Sequence, residues 1–135
     1  DHRYLHSFPT RRSSDLGMIL NAMGAKSIDK SGENLVWGKR AKWCDYSGQL
    51  EGKPVGVAII DHPLNPISPT FWHVRNYGLM TANPFGKSHF EKSFFKKGSY
   101  KMKANTTSIW KYRLVVHDGA VEDVKIERYC KLFNE

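Results

Sequence analysis

Pro54-Val55-Gly56-Val57-Ala58-Ile59-Ile60, followed at once by Asp61-His62-Pro63-Leu64-Asn65-Pro66-Ile67-Ser68-Pro69-Thr70, decides how the rest of the chain is read. A short, nearly unbroken apolar run with β-branched residues at 55, 57, 59 and 60 suits a central strand covered on both faces. Its continuation is broken by Pro63, Pro66 and Pro69, each of which fixes φ and removes a backbone donor. A rigid loop therefore leaves the strand, and rigid loops that present His, Asp and Asn are where scaffolds build sites.

On the amino-terminal side, Leu35 to Tyr46 is β-rich, with Ala41, Trp43 and Asp45 alternating against Lys42, Cys44 and Tyr46. Ser47 to Lys53 reads as a turn. On the other side, Phe71 to Arg75 and Gly78 to Ala82 read as two short strands, Ser99 to Ala104 alternates, and Ser108 to His117 reads as a long strand. Trp43 and Trp110, inside such strands, are expected in the core. One helix is expected after His117-Asp118-Gly119, with Val121, Val124, Tyr129 and Phe133 near one stripe and Asp118 as its cap. Its early Glu122, Asp123 and Glu127 and late Lys131 match the helix dipole. Strand after strand with Gly, Pro and Asn between them predicts a mostly β fold, an antiparallel β-sandwich with a C-terminal helix.

Composition narrows the functional classes. The chain has 135 residues and a formal charge of +8, but its lysines are scattered among apolar residues, as on a solvated sheet face, so no nucleic-acid partner is expected. No apolar run reaches the roughly 18 residues of a membrane helix. Two distant cysteines, Cys44 and Cys130, form neither a zinc motif nor a disulfide framework and read as buried thiols. Residues 1–16, DHRYLHSFPTRRSSDL, lack periodicity and resemble a translated sequencing adapter; they are set aside as an artefactual or disordered tail, leaving residues 17–135 as the domain.

A further set of motifs runs from about Leu35 to Phe133: Trp37 through Gly48, Val55-Gly56-Val57-Ala58-Ile59, Asp61-His62-Pro63, Asn65-Pro66, Trp72-His73-Val74-Arg75, Tyr77-Gly78, Asn83-Pro84-Phe85-Gly86 and Tyr112 through Gly119. In this order they resemble the C-terminal part of bacterial proteins labelled PmoA family, or "methane oxygenase PmoA". The label conflicts with a chain that has no membrane span, so methane oxidation is not expected from it. The resemblance implies part of a large sandwich akin to galactose mutarotase and carbohydrate-active enzymes, with a His-rich motif in a preceding half that is missing here. It leaves cofactor and location open, a periplasmic or secreted bacterial protein being compatible with it.

Within that frame His62 and His73 are the candidate general acid/base residues, with Asp61 orienting a histidine if the chain bends at Pro63. Asn65, Arg75 and Asn83 with Trp72, Tyr77 and Phe85 suit a sugar, whose C–H faces pack on rings while amide and guanidinium groups bind hydroxyls. For His62 and His73 to share a rim, Val57–Ile60 and Phe71–Arg75 should pair or lie as neighbours. His62, His73, His117, Asp61 and Asp118 have no HxH or HxxxH spacing, and no metal site is assigned. No Gly-x-Ser-x-Gly elbow exists, and Cys44 has no evident activating partner. Two readings follow: a carbohydrate-active domain with mutarotase-like or lyase-like acid/base chemistry, or a non-catalytic sandwich that binds a glycan or a partner protein.

Overall fold

A computed structural model of the chain describes residues 19–21, 26–27, 36–75, 78–91 and 98–135. The tail at 1–16, Leu35 and Tyr77 lie outside the described residues. Strands β1 (Ile19–Asn21), β2 (Lys26–Ser27), β3 (Trp43–Leu50), β4 (Lys53–Asp61) and β7 (Tyr112–Asp118) form one sheet in the order β2-β1-β3-β4-β7. Strands β5 (Trp72–Arg75) and β6 (Leu79–Ala82) form a second. Every described pairing is antiparallel, so the fold is mostly β as expected.

The apolar run 54–60 is indeed central, hydrogen-bonded to β3 on one side and β7 on the other. It does not pair with β5, which belongs to the other sheet, but Ile59 packs against the cluster that holds Trp72 and Val74, so Val57–Ile60 and Phe71–Arg75 lie as neighbours without pairing. The turn before it is tighter than the sequence suggests. β3 runs on to Leu50, and only Glu51 and Gly52, at φ 52° and 76°, make the reversal. Two consecutive positive φ values give the turn whose twist matches that of the flanking strands, and glycine takes the second at no steric cost.

Alternation along β3 and β4 sends side chains into two separate cores. Trp43, Ala58, Ile60 and Val115 face Val121, Ile126 and Cys130 of α2 (Val121–Val124) and α3 (Ile126–Asn134). Cys44 faces the other way, with Trp72 and Val74 of the β5–β6 hairpin and with Val36 and Ala41. Trp72 is fully buried and its indole N–H donates to the Ala41 carbonyl at 3.0 Å. Removing a ring of roughly 150–250 Å² from water is among the largest single contributions a side chain of this core can make. Tyr46 ties hairpin to sheet: its hydroxyl donates to the Arg75 carbonyl at 3.2 Å and accepts from the Gly78 amide at 3.1 Å.

Elsewhere the structure corrects the sequence reading. Residues 36–42 turn rather than run as a strand, forming an isolated bridge at Arg40–Phe71 and backbone hydrogen bonds of Gly38 and Lys39 with Trp72 and of Lys42 with Asp61. Residues 99–111 are irregular, and Trp110 is half-buried in a loop rather than in the core. Helix α2 starts at an Ala120 cap without a side-chain hydrogen bond, so Asp118, the last residue of β7, caps nothing. Lys125, left-handed at φ 52° and ψ 54°, separates α2 from α3 and resets the phase. The buried stripe is Val121, Ile126 and Cys130, and Tyr129 is exposed. No helix among the described residues is long and apolar enough to cross a membrane.

Candidate functional site

The predicted site residues fall into separate groups, and the first is a knot. Asp61 ends β4 with 3% of its surface exposed, and its carboxylate is taken up by the loop that follows. Oδ1 accepts from Asn65 Nδ2 at 2.7 Å, and Oδ2 accepts from Ser68 Oγ at 2.8 Å and the Thr70 amide at 2.9 Å. A buried carboxylate needs such donors to replace water. Asn65 also closes on the chain before β7, donating to the Lys111 carbonyl at 2.8 Å and accepting the Lys111 amide at 2.7 Å. Every polar atom of that amide group is thereby engaged within the protein.

His62 turns away from Asp61. Its Nδ1 accepts from the Leu64 amide at 3.1 Å, which leaves the neutral ring's proton on Nε2, and its ring stands edge-on to Phe133 at 4.8 Å. The bend at Pro63 exists, with the Asn65 amide bonded to the His62 carbonyl at 3.0 Å, but it forms a turn and does not bring Asp61 onto the imidazole. The expected orienting pair is therefore absent, because the carboxylate's short-range donors capture it first.

The second group lies on the hairpin. β5 alternates buried Trp72 and Val74 with half-buried His73 and Arg75, so the latter two emerge on one face. Trp37, from the turn at 36–38, meets them there. The Arg75 guanidinium carbon sits 5.3 Å from the Trp37 ring centre, and the His73 ring is 6.4 Å from it. His89 and Phe90 of α1 (Lys87–Phe90) complete the cluster at 5.7 and 4.8 Å from Trp37. The Trp37 Nε1–H is buried and has no hydrogen-bond acceptor among the described residues. Trp37 and His89 are the residues the sequence reading missed; Trp37 was assigned to a strand, and nothing local marks His89 as its neighbour.

Phe85 belongs to a third group. It is 53% exposed and meets Trp110 edge-on at 5.4 Å and Tyr100 at a tilt at 5.7 Å. Asn83 opens the turn into α1, its amide bonded to the Phe71 carbonyl at 2.7 Å. Trp72, wholly inside the core, presents no face to a ligand.

A fourth constellation was not anticipated. Asp45, fully buried on the helix-covered face of β3, accepts from Ser47 Oγ and lies 2.7 Å from His117 Nε2 of β7. The intervening strand is glycine at 56, where a Cβ would come within 2.6 Å of the His117 ring and 2.8 Å of Ser47 Oγ. Gly56 thus opens the path along which imidazole crosses the sheet to the carboxylate. The order Ser47–Asp45–His117 puts the carboxylate between hydroxyl and imidazole, so the histidine does not activate the serine as in a nucleophilic triad. The signal was an acidic residue in phase with Trp43 on the core side.

Neither thiol is a nucleophile in waiting. Burial, reinforced by the neighbouring Asp45 charge, pushes Cys44 far above the ordinary thiol value. Burial, with a smaller push from Glu127, raises Cys130 to about 11. A thiol that holds its proton so tightly attacks slowly. Among the described residues no three His, Cys, Asp or Glu side chains group as metal ligands.

Residues 7–131 match the model of a family described as a family of unknown function (DUF6807). No curated protein and no solved structure matches the chain.

Proposed function

The chain belongs to the DUF6807 family, and we propose that it is a carbohydrate-related domain of the group labelled PmoA that binds a sugar or sugar derivative at Trp37, His73, Arg75 and His89. The observation that carries this reading is the emergence of His73 and Arg75 from one strand face beside the Trp37 ring. Sugars are held where C–H surfaces meet an aromatic face and hydroxyls meet fixed N–H donors. Four side chains of these types converge here on the hairpin, the turn at 36–38 and the α1 helix.

Within this reading acid/base work falls to His73 alone. The Asp61 carboxylate is bonded to Asn65, Ser68 and Thr70 and not to the His62 imidazole, which supports a binding role over a paired acid and base. Binding of a glycan panel by calorimetry tests the assignment. Arg75→Ala and His73→Ala should each weaken binding by about tenfold or more, equivalent to roughly 1.4 kcal/mol, with the melting temperature little changed. Retained binding in the folded fraction of either variant would place the sugar elsewhere.

A further inference from the structure

We propose that the hollow between the 62–70 loop and the last turn of α3 is a second binding site, one that takes a vicinal diol, either an edge of a sugar or a smaller polyol. The hollow has a volume of about 340 Å³ and is lined by the polar side chains of Asp61, Ser68, Lys42 and Asn134 together with apolar residues that include Ile60 and Cys130. That volume lies at the small end of the range for ligand sites, about 300–1,000 Å³.

The hydrogen-bond inventory identifies the ligand. Asp61 Oδ2 already takes two donors but Oδ1 takes one, so Oδ1 keeps room for another. Ser68 spends its only proton on Asp61, which leaves its oxygen as an acceptor. Lys42 and the Asn134 amide, which line the same hollow, supply donors. Two adjacent hydroxyls fit this pattern: one donates to the carboxylate while the other accepts from the ammonium or amide. A free anion would meet Asp61, and an ammonium group would find most carboxylate lone pairs already occupied. The site shares no residue with the Trp37 face and stands or falls independently of it.

Titration of the isotopically labelled whole chain, followed by amide NMR, tests the proposal with erythritol and a monosaccharide as probes and 1,3-propanediol and glycine as controls. Saturable shifts confined to residues near 60–69 and 130–134 are expected with the vicinal diols only. Saturation with erythritol points to small polyols, and saturation with the monosaccharide alone points to a sugar edge. Asn134→Leu, at an exposed helix end, should abolish the shifts without unfolding the chain, whereas Arg75→Ala should leave them intact. Non-saturating shifts, shifts equal with 1,3-propanediol, saturation by glycine alone, or shifts that survive Asn134→Leu would each overturn the assignment.

Discussion

Asp45 and Asp61 are two aspartates on neighbouring strands, both hidden from solvent, at 0% and 3% exposure, and they differ in how far they reach for their partners. Asp61 finds its donors in the next nine residues, at Asn65, Ser68 and Thr70, and so shapes its own loop. Asp45 takes one near donor, the Ser47 hydroxyl, but also reaches His117, 72 positions away, and so fastens the edge strand β7 across β4 to β3. An unpaired carboxylate in either place would be strongly destabilising, so both are compensated. The contrast teaches that a buried acid by itself says little about function; the sequence distance to its donors tells whether it builds a loop or clamps a sheet.

The sharpest way to break the contrast is at the loop. Asp61→Ala strands the Thr70 amide and two side-chain donors in a buried place, and should cost about 3–5 kcal/mol of stability in urea unfolding. A loss below about 1 kcal/mol would show that the loop holds its shape without the carboxylate. At the clamp, Gly56→Ala should cost about 1–3 kcal/mol, because its methyl meets the His117 ring. In a His117→Ala background that cost should fall to the part due to the Ser47 hydroxyl, 2.8 Å from the same point, and a double-mutant cycle measures the difference. Equal costs in both backgrounds would mean the glycine makes room for Ser47 or the backbone and not for the imidazole.

Each aspartate also has a thiol nearby, Cys44 beside Asp45 and Cys130 lining the hollow at Asp61. Both thiols bind their proton more tightly in the fold than in the unfolded chain, where the ordinary value is 9.0. Stability is therefore intact below pH 9 and falls as pH rises from 9 towards about 11, the Cys130 value. Cys130→Ala should flatten that limb of a stability–pH curve without removing it, since Cys44 remains. The smallest effect is expected at Asp118, exposed at the end of β7 and capping no helix. Asp118→Ala should stay within about 0.5 kcal/mol of the parent; a loss near 1 kcal/mol would restore the cap.

What the sequence made legible was local. The apolar run at 54–60, the β5–β6 pair, buried Trp43 and the two buried cysteines follow from patterns a few residues long, and each appears where expected. The alternation at Tyr100-Lys101-Met102-Lys103 misled because an alternating segment becomes a strand only when another strand meets its backbone, and Met102 ends 60% exposed. In the helical stripe Val121, Val124 and Phe133 meet the core as expected, but the left-handed Lys125 breaks the helix and brings Ile126 and Cys130 inward in place of Tyr129. At the candidate site, His73 and Arg75 could be paired from strand periodicity alone. The fate of Asn65 could not, since it depends on Lys111 returning to it from across the fold.

The two-residue turn at Glu51–Gly52 has a consequence for the order in which the sheet assembles. Closing β3 onto β4 involves almost no loop, and isolated hairpins of this kind form in about 1–10 μs. Docking β7 onto β4 must first close the long stretch from His62 to Lys111, whose entropy opposes it until the contacts are made. The hairpin is thus the early event and the edge strand the late one. The Asp45–His117 contact, which exists only after β7 has docked, acts chiefly on how slowly the native protein comes apart rather than on how quickly it forms.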